Sequence, residues 1–73
     1  MIQIIAGFTL ADFLEVIDEK STLFIYDESA RVRQGGRVVY NTIYPHQVGR
    51  NIRRKLVKSI EVGQTVDFMI IID

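Results

Sequence analysis

The residues in this sequence with the clearest capacity for chemistry are its arginines and lysines. Between Ser29 and Ser59 the chain carries eight basic residues and no aspartate or glutamate, although its formal net charge is zero. A guanidinium group can hold a phosphate or a carboxylate through two parallel hydrogen bonds. The six arginines of this stretch are the candidate partner-binding residues: Arg31, Arg33, Arg37, Arg50, Arg53 and Arg54.

Three interpretations of this basic stretch are open. The bases can bind an acidic protein surface, or they can contact the phosphates of a nucleic acid, with Tyr26, Tyr40 and Tyr44 as stacking surfaces. They can also face solvent or the acidic residues of their own fold. A dedicated nucleic-acid-binding domain usually has a pI above about 9, whereas this chain has a pI of about 6.6. We therefore favour an acidic protein as the partner.

Catalysis finds little support in the sequence. His46 is the only histidine, and no pattern places a hydroxyl beside a base that a third group orients. Asp27 and Glu28 would point to opposite faces of a strand, so we interpret them as solvated turn residues. Gly35 and Gly36 indicate a turn, because the lysine and the Ser/Thr of a phosphate-binding loop are missing. The sequence predicts a protein that is not an enzyme and has no cofactor.

Composition limits the class of protein. Seventy-three residues predict one domain, residues 1–73, near the lower limit at which a chain folds alone. There is no cysteine and no acidic run with the spacing of a calcium loop, so no metal site is predicted. The chain begins without a basic signal region and has no apolar run near the roughly 20 residues that span a bilayer. We expect a cytoplasmic protein that does not bind membranes.

A first helix is predicted from about Leu10 to Glu19. Thr9 is a favoured N-cap residue, and acidic residues suit the first turn that follows. Apolar residues recur at the spacing of one helix face, and acidic residues occupy the other. The apolar face holds Leu10, Phe13, Leu14 and Ile17, and the acidic face holds Asp12, Glu15, Asp18 and Glu19.

A strand is predicted at Thr22–Tyr26, which is rich in aromatic and β-branched residues. Two pairings are open for the chain that follows. In one, Ala30–Gln34 and Arg37–Tyr40 form a tight hairpin closed by two glycines. In the other, residues 28–36 form a long loop and Arg37–Ile43 pairs directly with Thr22–Tyr26.

A second helix is predicted from Pro45 to about Lys55, since proline suits the first turn of a helix. Arg50, Arg53 and Arg54 fall on one face of it.

A second hairpin follows, with strands at Leu56–Val62 and Val66–Ile72. The uninterrupted apolar run Phe68–Ile72 is typical of a central strand that is covered on both faces, or of an interface. The whole pattern predicts a small single α+β domain of order helix-β-β-helix-β-β, with two helices on one side of a mainly antiparallel sheet. Met1–Ile5 adds a short extra N-terminal strand or an arm packed on the core.

Five segments carry a resemblance to known proteins: T-L-A-D-F-L-E-V-I-D at 9–18, L-F-I-Y-D at 23–27, R-V-V-Y at 37–40, L-V-K-S-I-E-V at 56–62 and the apolar residues 69–72. In these segments the chain resembles small uncharacterised proteins of phages, prophages and mobile elements of low-GC Gram-positive bacteria. The insertion Arg31–Gly36 and the arginine-rich second helix depart from that pattern. The resemblance implies a small accessory protein that binds a host or phage macromolecule.

These observations predict a small non-enzymatic binding module, in which an arginine-rich surface binds an acidic protein partner and modulates it. One alternative is a nucleic-acid-binding protein that contacts phosphates. The other is a self-assembling structural or scaffold protein, a homodimer in which Ile70–Ile72 or Ile2–Ile5 completes a sheet across two copies.

Overall fold

A computed structural model describes residues 4–31 and 37–73 of the chain. They form a small α+β domain with a four-stranded mixed sheet and two short α-helices. The elements are α1 (Leu10–Leu14), β1 (Leu23–Arg31), β2 (Arg37–Ile43), a 3₁₀ turn (Pro45–Gln47), α2 (Arg50–Arg53), β3 (Val57–Val62) and β4 (Phe68–Ile72). The α+β class is confirmed, and the helix-β-β-helix-β-β order is matched loosely.

The sheet has the strand order β2-β1-β4-β3. β1 pairs antiparallel with β2, β3 pairs antiparallel with β4, and the two hairpins meet where β1 lies parallel to β4. The chain therefore passes from one edge strand, β2, to the other, β3, through the 3₁₀ turn and α2. Phe68–Ile72 lies in a central strand, as one of its two interpretations expected, because β4 has a strand on each side. The expected cover on both faces is not present in the described residues, where Met69 of β4 is 41% exposed.

The parallel seam between β1 and β4 begins at a reciprocal clamp between Thr22 and Asp67. The Thr22 amide donates to Asp67 Oδ2 at 2.8 Å, and the Asp67 amide donates to the Thr22 carbonyl at 3.0 Å and to its Oγ1 at 3.1 Å. From there the strands run in register, with Leu23 beside Phe68 and Ile25 beside Ile70. The clamp fixes which residues of the two strands share a face.

One face of the sheet forms the core with the helices. Its buried apolar side chains come from α1, β1, β3 and β4, together with Val48 before α2: Leu10, Phe13, Leu14, Leu23, Ile25, Val48, Val57, Ile60, Ile70 and Ile72. Tyr40 and Ile43 of β2 and Ile52 of α2 pack against this cluster. Both helices therefore contribute apolar side chains to the same cluster.

The first helix begins where the sequence predicts and ends five residues earlier. The Thr9 amide donates to Asp12 Oδ2 at 3.0 Å and the Asp12 amide donates to Thr9 Oγ1 at 3.3 Å, which is a capping box. Leu14 is the last helical residue and Glu15 is the C-cap. Farther along, the Lys20 amide donates to Asp18 Oδ1 at 2.8 Å and closes an Asx turn. The prediction of a helix up to Glu19 was wrong for its second half.

The second helix is two short turns rather than one helix from Pro45 to Lys55. Val48 and Gly49 are extended, with ψ angles of 121° and 160°, and they separate the 3₁₀ turn from α2. Glycine loses more backbone entropy than any other residue in a helix, so a break at Gly49 costs little. Arg54 is the C-cap of α2 and lies outside its regular turn.

The first hairpin follows neither of the two predicted pairings completely. β2 pairs with the predicted strand, since Ile25 lies opposite Tyr40 and Tyr26 opposite Val39. β1 also continues to Arg31, the Cα partner of Arg37. The proposed turn at Gly35 and Gly36 lies outside the described residues.

The N-terminal segment adds no strand over the part that the structure describes. Residues 4 and 5 of the predicted strand Met1–Ile5 are not in a strand, and residues 1–3 lie outside the described ranges. Further on, the Leu10 amide donates to the Lys55 carbonyl at 3.0 Å and the Val57 amide to the Phe8 carbonyl at 2.9 Å. These bonds hold the start of α1 beside the start of β3.

Candidate functional site

Several basic residues lie toward the end of the sheet where β1 and β4 finish. β1 runs on to Arg31, which lies opposite Arg37 at the start of β2. β3 begins at this same end, because Val57 lies opposite Ile72, the last residue of β4, and Lys58 follows. We call this region the basic end. The candidate Arg33 lies outside the described residues.

Two bases of this region form ion pairs with β1. Lys55 Nζ lies 2.6 Å from Oδ2 of Asp27, whose side chain is 0% exposed. Lys58 Nζ lies 2.9 Å from Oε2 of Glu28, and both of these side chains are partly exposed. The interpretation of Asp27 and Glu28 as turn residues was wrong, because both lie inside β1. Their expected placement on opposite faces fits the strand, with Asp27 on the core face.

The Lys55–Asp27 pair also attaches the residue that follows Arg54 to β1. Lys55 directly follows Arg54, the C-cap of α2, whereas Asp27 lies four positions before Arg31 on β1. The pair therefore anchors the C-terminal end of α2 next to the strand that carries Arg31. Arg31 lies four residues farther along β1, about 13 Å from Asp27.

The acidic residues near α1 have local roles. Asp12 belongs to the capping box and Asp18 closes the turn after the helix. Within residues 4–31 and 37–73, the ion pairs of the bases are made with β1, and none joins a base to α1. The first helix therefore does not neutralise the basic stretch in this part of the chain.

The three arginines of the second helix differ in their surroundings. Arg53 is half-buried and donates from Nε to the Val48 carbonyl at 3.0 Å and from Nη2 to the Pro45 carbonyl at 2.7 Å. Arg50 and Arg54 are exposed, and no hydrogen bond or ion pair joins them to another residue of the described ranges. Arg53 thus holds the 3₁₀ turn against α2, while Arg50 and Arg54 face outward.

Replacing Arg53 with glutamine is expected to lower the free energy of unfolding by about 1–3 kcal/mol, because hydrogen bonds from a charged donor to two carbonyls are lost. Urea denaturation followed by circular dichroism measures the change. Arg50→Gln on the same helix is the matched control and should change stability by less than about 0.5 kcal/mol. Equal effects of the two substitutions would contradict the structural role of Arg53.

His46 lies on the surface, in the 3₁₀ turn. Its exposed ring stacks on Tyr44 with centroids 5.9 Å apart, and a shallow groove beside it is lined by Glu19 and Lys20. In the described ranges, no group of three or more histidine, cysteine, aspartate or glutamate side chains is arranged to hold a metal ion.

The face of the sheet opposite the core forms a second candidate surface. Phe24 and Tyr26 of β1 lie beside Met69 and Ile71 of β4, and Val39 of β2 lies opposite Tyr26. With Ser59 and Glu61 of β3 at its edge, this set of seven residues is called the open face. A groove of about 280 Å³ crosses it. The sequence indicated this surface only through the unbroken apolar run of β4.

Comparison with known proteins adds no relative: no protein-family model, curated protein or solved structure matches the chain. Over the described residues, no helix has the length and apolar character needed to cross a membrane.

Proposed function

We propose that this protein is a non-enzymatic binding module whose basic end docks against an acidic surface of another protein and modulates that protein. The observation that carries this proposal is the exposure of Arg50 and Arg54 just before Lys55, which is bound to β1, the strand that ends at Arg31 opposite Arg37. Exposed arginines can form two-point contacts with carboxylates.

The tyrosines favour a protein partner over a nucleic acid. Proteins that bind single strands place aromatic rings along the groove that follows the phosphates. Here Tyr40 packs against the core, Tyr26 lies on the open face, and Tyr44 stacks on His46. The rings point in different directions from the fold, so they do not form one stacking platform beside the basic end.

The local charge balance also suits a protein. Lys55 and Lys58 are held by Asp27 and Glu28, so carboxylates lie among the bases. Mixed charges of this kind select a partner whose acidic and basic groups match them. A role in binding also agrees with the resemblance to phage and mobile-element accessory proteins.

The proposal is tested with an acidic peptide, poly-glutamate of about 25 residues, titrated into the protein at 20 and 150 mM salt. The double variant R50Q/R54Q should bind the peptide roughly 3- to 10-fold more weakly than the natural sequence, because each exposed ion pair contributes about 0.2–1 kcal/mol. Isothermal titration calorimetry measures the affinity, and circular dichroism should show an unchanged fold.

The matched control is Lys20→Gln, which removes an exposed base from the loop before β1, at the other end of that strand. It should leave peptide affinity unchanged. No binding at 20 mM salt, or an equal loss in K20Q, would overturn the proposal. Tighter binding to DNA or RNA, with a steep loss of affinity as salt rises, would assign the basic end to phosphates instead.

A further inference from the structure

The open face has the composition of a surface that is normally buried. Its centre is formed by Phe24, Tyr26, Met69 and Ile71, which are neighbours across the parallel seam. Met69 is 41% exposed and Val39 beside them is 45% exposed. Contiguous exposed apolar groups with polar residues at their edge mark interaction sites. The open face fits this description, with Ser59 and Glu61 on its β3 side.

The parallel strands explain why this face needs a cover. Strands of parallel sheets are usually buried on both faces and have continuous apolar sequences, whereas strands with one solvated face alternate apolar and polar residues. β4 has the sequence Phe-Met-Ile-Ile-Ile, without alternation. In the described ranges, the helices pack on the core face only. The sequence of β4 therefore suits a second layer on the open face.

We infer that this second layer is another copy of the same chain, packed face to face as a two-layer β sandwich. The open face is complementary to itself in charge. Glu61 lies toward one end of β3, and Lys58 lies at the other end, in the bulge between Val57 and Ser59. The Lys58 ammonium contacts Glu28, which is on the open-face side of β1. A twofold axis in the interface, perpendicular to the strands, places β3 over β3 in the opposite direction. Glu61 of each copy then meets Lys58 of the other.

Lys58 can contact Glu28 of its own chain and Glu61 of the other copy at the same time. Lys58 already contacts Glu28 in its own chain, and an ammonium group has three N–H donors, which two carboxylates can share. The same axis places Met69 of one copy over Ile71 of the other, so the apolar centres of the two open faces contact each other. The formal net charge of zero means that long-range repulsion does not oppose association of two copies.

The size of the open face determines the affinity that we expect between the two copies. Four strands about 4.8 Å apart, each about five residues long at 3.3 Å per residue, cover about 320 Å² of sheet in each copy. Interfaces that bury less than about 1,200 Å² in total are weak or transient. The dimer should therefore form at micromolar to millimolar concentrations.

This packing differs from the two dimer contacts expected from the sequence, of which the one through Ile2–Ile5 lies partly outside the described residues. Ile70–Ile72 cannot complete a sheet across two copies, because β4 is paired on both sides, with β1 and with β3. The edges of the described sheet are β2 and β3. Residues of β4 can instead meet a second copy through their side chains, on the open face.

Sedimentation equilibrium from 5 µM to 1 mM tests the inference. We expect a monomer–dimer equilibrium for the natural sequence and a monomer for Met69→Glu, which places a second acid beside Glu61. Val62→Glu is the matched control: Val62 is 78% exposed at the end of the same hairpin, on the other face of the sheet, and this variant should still dimerise. Glu61→Lys should weaken the dimer several-fold, because it places like charges opposite each other.

A measurement on the natural sequence covers the case in which Met69→Glu fails to fold. In a mixture of isotope-labelled and unlabelled chains, contacts between the Met69 and Ile71 methyl groups of different copies are expected by nuclear magnetic resonance. A strict monomer at 1 mM would overturn the inference, as would a dimer that Met69→Glu leaves intact. Peptide binding by the basic end should be unaffected by Met69→Glu, so failure of either proposal is distinguishable from failure of the other.

Discussion

Replacing Lys55 with methionine is expected to lower the free energy of unfolding by about 3–5 kcal/mol, because it removes a partner of the buried Asp27 carboxylate, although the lysine itself is 26% exposed. The carboxylate of Asp27 is 0% exposed and has the Lys55 ammonium 2.6 Å away. Without that ammonium the buried Asp27 carboxylate loses a positively charged partner that stabilises its negative charge. Domains of this size are stable by only about 4–11 kcal/mol, so the loss should be clear in urea denaturation and in Tm.

Lys58→Met provides the comparison, since the Lys58–Glu28 pair is partly exposed and such pairs contribute about 0–1 kcal/mol. The double variant K55M/D27V should recover much of the stability lost in K55M, because apolar residues often replace a buried ion pair without loss. Equal stability of K55M and K58M would show that the buried pair contributes no more than the exposed one.

Replacing Phe13 with alanine is expected to cost about 3–5 kcal/mol, the usual range for deleting a buried aromatic ring. Phe13 is 5% exposed, and its ring meets that of Phe68 edge to face, with centroids 5.2 Å apart and planes at 89°. This contact attaches α1 to the first residue of β4. A helix of five residues has little stability of its own, so we expect α1 to detach when the ring is lost.

Val16→Ala is the matched control for Phe13→Ala. Val16 follows the same helix and is 76% exposed, so its truncation should change the free energy of unfolding by less than about 0.5 kcal/mol. Thermal unfolding followed by circular dichroism gives both values. A Phe13→Ala variant as stable as Val16→Ala would mean that the two rings contribute nothing to holding α1.

The elements that the sequence predicts well are those with local causes. Thr9 and Asp12 specify the start of α1 through their own side chains, and the capping box is present. The aromatic and β-branched residues around Ile25 and the apolar run of β4 form strands, as the periodicity indicates. In each case the deciding interactions lie within a few residues of one another, so a pattern in the sequence reveals them.

The elements that the sequence does not predict depend on distant contacts. The parallel pairing of β1 with β4 has no local signature, and it changes an expected mainly antiparallel sheet into a mixed one. The burial of Asp27 depends on Lys55, 28 positions away. In the sequence Arg53 resembles a surface arginine. In the structure it donates to the carbonyls of Pro45 and Val48, which come before the break at Gly49.

The candidate site was predictable in part for the same reason. The sequence shows where the bases lie along the chain, and it identifies Arg50 and Arg54 as candidate binding residues. The pairing of Lys55 and Lys58 with residues of β1 could not be foreseen, because the acidic face of α1 was the more obvious partner. The open face was indicated only by the absence of alternation in β4.

The seam between β1 and β4 also has a consequence for the time that the chain needs to fold. Each hairpin can form from neighbouring residues, but the seam joins Leu23 to Phe68 and Thr22 to Asp67, 45 positions apart. Closing so long a loop must precede most of the contacts that stabilise it, and chains rich in distant pairings fold in milliseconds to seconds. We expect the two hairpins to form early and the clamp at Thr22 and Asp67 to close in the slow step. This small protein should therefore fold more slowly than its length suggests.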